Sequence, residues 1–134
     1  MALQGAGMVI GIGIDLVQID RFERAVARYG ARLLDRLFTP SERAHIRRYR
    51  SPGRHLAVRF AAKEAAFKAH RNGWGQGVVW QDVEDVGGGN EPSGLALSGR
   101  AKDVADGLGI MQMLVTLTHE GDYAMACVVA TDGR

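Results

Sequence analysis

Residues 58–68 read V-R-F-A-A-K-E-A-A-F-K, and this stretch decides the fold of the chain. Residues 54–72 contain neither proline nor glycine. Because alanine has the highest helix propensity of any residue, we predict a helix over residues 56–70. At about 100° per residue, Phe60 and Phe67 point the same way, and three alanines line the opposite side of that helix.

An acid, Glu64, precedes a base, Lys68, by one turn at the border of the apolar seam. Such a pair is common on helix surfaces and contributes about 0.2–0.5 kcal/mol. However, Arg59, Lys63 and Lys68 place three cations on one short helix beside two aromatic residues. This neighbourhood favours a second interpretation, an anion-binding cleft that holds a metal ligand.

Length and composition indicate one domain over residues 1–134, since the chain has 134 residues of which 46% are hydrophobic. Residues 1–7 lack periodicity, and we interpret them as a disordered extension. No apolar run approaches the roughly 18–20 residues of a membrane span, and no signal-peptide pattern is present, so we predict a cytoplasmic protein without membrane association. The single cysteine, Cys127, cannot form an internal disulfide and is predicted to be a small buried hydrophobe.

The charge is unevenly distributed although the net charge is only +2. Ten arginines and three acids occur between Arg21 and Arg54. Five of the arginines recur at intervals of three or four residues, which predicts one arginine face if the helix continues through Gly30: Arg21, Arg24, Arg28, Arg32 and Arg36. The guanidinium group pairs bidentately with carboxylates and phosphates, so we expect an anionic partner. Aromatic residues are not interleaved on this face and no nucleic-acid-binding motif is present, which argues against a nucleic acid.

Residues 8–15, M-V-I-G-I-G-I-D, alternate strictly and predict a strand with Asp15 on the glycine face. Glycine weakens a strand, so two glycines on the face of the acid indicate that another part of the molecule approaches the backbone there. The alternative interpretation makes Asp15 only the cap of the next helix.

The other patterns complete an α+β fold, a small antiparallel sheet with helices packed on one side. A break is expected at Gly30, and Thr39 and Glu42 form a capping box that starts a helix reaching about Arg50. The glycine-rich loop 72–77 either wraps a ligand or simply connects two elements. The remaining predicted elements are helices 18–29 and 99–108, strands 78–86, 95–97, 111–119 and 123–131, and turns 87–94 and 120–122. His119 falls where a strand meets a turn, a usual location for functional side chains.

Several segments together resemble the holo-acyl-carrier-protein synthase family of small 4'-phosphopantetheinyl transferases. They are G-I-G-I-D at 11–15, R-F-A-A-K-E-A at 59–65 with Lys68, D-V-E at 82–84, P-S-G-L-A-L-S-G at 92–99, and L-T-H-E with Y-A-M-A within 117–126. The resemblance covers residues 8–130, with the motifs in the family's order and spacing.

The resemblance implies transfer of phosphopantetheine from coenzyme A to a serine of an acidic apo acyl carrier protein in fatty acid biosynthesis, with adenosine 3',5'-bisphosphate as the second product. It implies a homotrimer with active sites between subunits, and Mg²⁺ held by Asp15 and Glu64. Lys68 would contact the phosphates, and a metal-bound water or Glu64 would accept the serine proton. The coenzyme-binding residues implied are Arg59, Lys63, Lys68, Asn72, Gly73 and His119. The carrier-docking residues implied are Arg21, Arg24 and Arg28.

One segment departs from the family pattern, which reads glycine-threonine-glycine where this chain has Arg71-Asn72-Gly73. Arg71 either adds a phosphate contact or narrows the nucleotide pocket. Two alternatives to the main interpretation are a non-catalytic carrier-binding subunit of the same fold and a transferase dedicated to secondary-metabolite carriers. Retention of Asp15, Glu64 and Lys68 argues against the first of them.

Overall fold

The computed structural model describes residues 7–70, 77–88 and 91–133. Five strands and five helices lie in these ranges, together with a 3₁₀ turn at Trp80–Asp82. In chain order they are β1 (Val9–Gln18), α1 (Ile19–Tyr29), α2 (Ala31–Leu37), α3 (Pro40–Ile46), α4 (Pro52–Ala69), β2 (Val83–Gly88), β3 (Glu91–Leu97), α5 (Gly99–Leu108), β4 (Gln112–Glu120) and β5 (Tyr123–Thr131).

The strands form one antiparallel sheet in the order β1-β5-β4-β3-β2. One face of the sheet packs against α4, where Val17, Ala124 and Val128 are buried. The opposite face of β1 remains exposed at Ile12 and Ile14. The predicted α+β fold, with helices on one side of a small antiparallel sheet, is therefore confirmed.

The two glycines of β1 mark where α4 crosses the sheet. A Cβ atom on Gly11 would lie 1.9 Å from the carbonyl oxygen of Ala69, and one on Gly13 would lie 1.8 Å from that of Ala65. Neither distance is sterically allowed, so only glycine lets the helix backbone approach this strand. The predicted close approach is confirmed, and the approaching element is α4.

Helix α4 is buried on nearly all sides, since alanines at 57, 61, 62, 65, 66 and 69 are fully inaccessible to solvent. It begins at Pro52, four residues earlier than predicted. Proline fits the first helical position because that residue needs no backbone donor. Pro52 and Gly53, which follow the predicted end of the preceding helix, therefore form the first turn of α4.

Two other helix predictions concern the segment before α4. Gly30 separates α1 from α2 with a φ of 61°, as predicted. The capping box is present: the backbone N–H of Glu42 donates to Thr39 Oγ1 at 3.1 Å, and that of Thr39 donates to Glu42 Oε1 at 2.9 Å. The helix α3 ends at Ile46 rather than near Arg50, and residues 47–50 are all exposed.

The segment after α4 differs from the prediction at both strands. Residues 78–86 are not one strand, because the Asp82 carboxylate accepts backbone N–H groups from Val79 (3.2 Å) and Ala101 (3.3 Å) and stabilises the 3₁₀ turn. The predicted turn 87–94 is also too long, since β3 already pairs with β2 from Glu91 onward. Residues 89 and 90 lie outside the described ranges.

The C-terminal elements follow the sequence closely. Helix α5 has the predicted bounds and ends at Gly109 in the left-handed conformation, with a φ of 79°. Strands β4 and β5 pair from Gln112 to Glu120 around the predicted hairpin turn. Cys127 is half-buried rather than buried, because it lies on the face of β5 opposite the buried residues Ala126 and Val128. No helix in the described parts of the chain is long and apolar enough to cross a bilayer.

Candidate active site

A cavity of about 650 Å³ opens where β1 passes beside α1, α2 and α4. Three residues predicted to act together line it: Asp15 from β1, and Glu64 and Lys68 from α4. The structure thus brings together side chains that lie far apart in the sequence. Arg21 and Arg36 of the arginine face also reach this cavity.

Asp15 lies on the face of β1 that meets α4, directly after the two glycines that permit the close approach. It does not cap the next helix, because α1 begins only at Ile19 and its N-cap position is Gln18. The side chain of Asp15 is 16% exposed. The position of this carboxylate is therefore set by the contact between β1 and α4.

Lys68 points back across that contact. Its ammonium donates to the backbone oxygen of Ile14 at 2.8 Å and lies 3.1 Å from Asp15 Oδ1. The ion pair of Lys68 within the described residues is with Asp15 and not with Glu64, so the surface pair along the helix is not formed. Half of the Lys68 side chain stays exposed, which leaves its charge accessible to an incoming anion.

Glu64 lines the cavity from α4 and is half-buried. Burial raises the pKa of Glu64, the Asp15 carboxylate raises it further, and Lys68 opposes both effects. A cation bound by both carboxylates would offset the repulsion between them.

Three aromatic residues, Phe22, Phe60 and Trp80, form part of the apolar wall of the cavity. The Phe60 ring stacks on Phe22, with 5.0 Å between centroids, and both Phe60 and Phe67 lie 5.2 Å from the Trp80 ring. Phe60 and Phe67 therefore point the same way, as the helical spacing predicts. Trp80 was missed as a cavity residue because residues 78–86 were assigned to a continuous strand.

Arg59 and His119 do not line this cavity in the described part of the chain. Arg59 Nη1 instead donates to the backbone oxygen of His55 at 3.3 Å. Burial lowers the pKa of the His55 imidazole, and the positive charge of Arg59 and then that of His119 lower it further. The Arg59 side chain is only 12% exposed, and its Nε lies 3.0 Å from Asp85 Oδ2. Asn72 and Gly73 lie outside the described residues, as does Arg71.

The structure contradicts the prediction that Lys63 binds coenzyme phosphates. Its side chain is fully buried, and its ammonium lies 2.8 Å from Glu42 Oε1. The ammonium also donates to the backbone oxygens of Trp80 and Val83. Burial lowers the pKa of Lys63, and Glu42 opposes the shift. Lys63 is therefore an internal residue that ties α3 and the 3₁₀ turn to α4.

The arginine face is exposed along both helices. Its members, Arg21, Arg24, Arg28, Arg32 and Arg36, form no ion pair with any residue in the described ranges. An unneutralised cationic surface therefore adjoins the cavity that holds Asp15 and Glu64.

Comparison with known proteins places this arrangement in a family. A family model described as the 4'-phosphopantetheinyl transferase superfamily matches residues 11–128. This chain belongs to that superfamily. The chain is 47% identical over 123 residues to holo-[acyl-carrier-protein] synthase from Desulforudis audaxviator, an alignment that covers 92% of this chain and 93% of the relative.

Solved structures of the superfamily have the same fold. Holo-[acyl-carrier-protein] synthase from Neisseria meningitidis superposes with a TM-score of 0.83 at 30% identity, over 92% of this chain and 98% of that one. The Helicobacter pylori protein of the same name, solved in complex with coenzyme A, gives a TM-score of 0.75 at 31% identity, over 89% of this chain and 98% of that one.

The side chains that line the cavity decide which metal ion could bind there. No group of three or more histidine, cysteine or acidic side chains within the described residues could enclose an ion. The cavity instead offers two carboxylates, Asp15 and Glu64. This set fits Mg²⁺, which keeps several waters and is held by one or two carboxylates together with substrate phosphates.

Proposed function

We propose that this protein transfers 4'-phosphopantetheine from coenzyme A to a serine hydroxyl of an apo acyl carrier protein, with release of adenosine 3',5'-bisphosphate. The observation that carries the proposal is the convergence of Asp15, Glu64 and Lys68 in one cavity beside an exposed arginine face. Membership of the superfamily and the names of the relatives support it.

Asp15 and Glu64 would hold Mg²⁺. When bound, that ion would offset the negative charge that develops on the leaving phosphate oxygen of coenzyme A. The raised pKa of Glu64 fits this role, since a neighbouring cation would offset the repulsion from Asp15.

Lys68 supplies the positive charge that the chain itself contributes to the cavity. Its ammonium is fixed by Ile14 and Asp15 at 2.8 and 3.1 Å and needs little reorganisation to contact a phosphate oxygen. The serine of the carrier must also lose its proton. Glu64 is a half-buried carboxylate that lines the cavity, and we assign it this second role.

The carrier would dock on the arginine face. Arg21 belongs both to this face and to the cavity lining, so a carrier that pairs with Arg21, Arg24 and Arg28 would present its serine next to Glu64. Complementary charge of this kind accelerates encounter and sets orientation, and its effect falls with ionic strength.

We further propose that the protein assembles as a homotrimer. The uncovered face of the sheet exposes a contiguous set of apolar side chains, which would favour burial against other copies: Ile12, Ile14, Leu16, Leu114 and Met125. Arg59 and His119 lie apart from the cavity of their own chain. A neighbouring copy would therefore supply them to the coenzyme, which completes each active site at a subunit interface.

The experiment that tests the function uses the purified protein, coenzyme A, Mg²⁺ and several apo acyl carrier proteins, read by mass spectrometry. The expected product is a carrier heavier by one phosphopantetheine. We expect it to form fastest with a cytoplasmic carrier that serves fatty acid biosynthesis. A carrier that remains unmodified, while a control transferase modifies it, would contradict the proposal. Faster modification of secondary-metabolite carriers would reassign the pathway but not the reaction.

A further inference from the structure

Asp85 is an acid buried at the packing surface between β2 and α4. Its side chain is only 8% exposed. Burial raises the pKa of Asp85, and Arg59 opposes that rise. A carboxylate in this position is costly unless it is paired, and its ion pair within the described residues is with Arg59.

Arg59 is held from two directions. Its Nε lies 3.0 Å from Asp85 Oδ2, and its Nη1 donates to the backbone oxygen of His55 at 3.3 Å. Nη2 forms no hydrogen bond with the described residues. The guanidinium group is rigid and planar, so fixing two nitrogens also fixes the direction in which the third presents its N–H groups.

Glu42, another buried acid near α4, already has its own partners and does not pair with Arg59. The Glu42 carboxylate already accepts from Lys63 at 2.8 Å, and it also accepts the backbone N–H groups of Thr39 and Asp85. Two of the cations of α4 thus have separate partners: Glu42 neutralises Lys63, and Asp85 holds Arg59.

We propose that Asp85 is a positioning residue that orients Arg59 toward a phosphate of coenzyme A. This inference rests on the proposed function, in which Arg59 contacts the coenzyme. The ordered guanidinium binds the anion without first losing the conformational freedom of a long side chain. Asp85 itself does not contact the substrate.

The test combines Asp85→Asn with Arg59→Ala in a double-mutant cycle. The Asp85→Asn substitution keeps the shape of the side chain but removes its charge. We expect the affinity for adenosine 3',5'-bisphosphate, measured by calorimetry, to fall about tenfold, as when one charge-assisted contact is weakened. We also expect the KM for coenzyme A to rise while the KM for the carrier and kcat stay unchanged. The double variant should bind no more weakly than Arg59→Ala alone.

A purely structural tie between β2 and α4 predicts a different result. In that case Asp85→Asn lowers the free energy of unfolding in urea but leaves the bisphosphate affinity and the KM for coenzyme A unchanged, which would overturn the inference. Equal weakening by Asp85→Asn with and without Arg59 would also overturn it, because Asp85 would then act through another group.

A second variant covers the case in which Asp85→Asn does not fold. Arg59→Lys keeps the charge but lacks the planar group that Asp85 orients, and it should lose bisphosphate affinity to a similar extent. Unchanged affinity in Arg59→Lys would contradict the inference. The wild-type protein separates the two proposals. If wild type modifies the carrier and Asp85→Asn binds coenzyme and bisphosphate as wild type does, only the role of Asp85 is refuted. If wild type neither modifies the carrier nor binds the bisphosphate, both proposals are refuted.

Discussion

Asp15 and Lys68 are 53 positions apart in the sequence, and their charged groups lie 3.1 Å from each other in the fold. The contact exists because Gly11 and Gly13 allow α4 to cross β1 at backbone distance. The same crossing sets the position of Glu64, so one packing contact assembles all three residues of the candidate active site.

Replacement of Lys68 by alanine should lower kcat by about 10²–10³, the usual effect of removing one preorganised electrostatic contact from a reacting group. Steady-state kinetics with coenzyme A and apo carrier would measure it. Lys102→Ala is the matched control, because Lys102 forms an exposed ion pair with Asp106 at 3.1 Å on α5, away from the cavity. An unchanged kcat in Lys68→Ala would exclude a catalytic role for this ammonium.

Replacement of Glu64 by glutamine should change stability in a pH-dependent way. The pKa of Glu64 is raised in the folded state, so folding favours its protonated form. The contribution of this proton to the free energy of unfolding is complete below the unfolded-state pKa of about 4.3 and is lost as the pH rises through the folded-state pKa. In the presence of EDTA, the Glu64→Gln variant should therefore become more stable relative to wild type as the pH rises from about 4 to about 7.

Thermal or urea unfolding across that pH range would measure this difference. Glu120→Gln, at the exposed end of β4, is the control for loss of a carboxylate elsewhere. If Glu64→Gln instead became less stable relative to wild type as the pH rises, the environment of Glu64 would favour its charged form, opposite to the packing seen here.

Charge reversal on the arginine face should affect only the carrier. Arg28→Glu should raise the KM for the carrier severalfold at low salt and leave the KM for coenzyme A unchanged, because Arg28 is exposed and forms no ion pair among the described residues. The wild-type KM for the carrier should also increase with ionic strength. Lys102→Glu tests whether any added negative charge has the same effect, and equal kinetic effects of the two substitutions would argue against docking on α1.

Mixing of two inactive variants would test the subunit interface. Glu64→Gln and His119→Ala should each be inactive alone. In trimers refolded from an equal mixture, an interface is active when one copy supplies an intact Glu64 and its neighbour an intact His119. Random assembly around a closed ring gives this combination at about one quarter of the interfaces. Light scattering would verify the trimer. Intact mixed trimers without activity would place both residues in the same copy's active site.

The sequence predicts most of the fold because it contains strong local signals for caps, turns and close backbone contacts. The glycine pair of β1, the capping box of Thr39 and Glu42 and the left-handed Gly109 each specify one local conformation. The fold class and the bounds of α5 and β5 followed from such signals. The 3₁₀ turn did not, because its cause is the capture of backbone N–H groups by Asp82 from two separate segments.

The candidate site was predicted in part. Asp15, Glu64 and Lys68 could be grouped because the glycine face of β1 and the acid–base turn of α4 are both visible in the sequence. Lys63 could not be distinguished from Arg59 or Lys68, since its buried partner Glu42 belongs to another helix. Asp85 was missed for the same reason: its pairing with Arg59 depends on tertiary packing alone.

The most direct test of the central claim is the anomalous scattering of Mn²⁺ in crystals of this protein grown with coenzyme A. Our account predicts a single strong peak per active site, within metal–oxygen bonding distance of both the Asp15 and Glu64 carboxylates and of the coenzyme diphosphate. Asp15→Asn crystals should lose this peak. A peak bound elsewhere, or a coenzyme diphosphate seated far from these two carboxylates, would contradict the account.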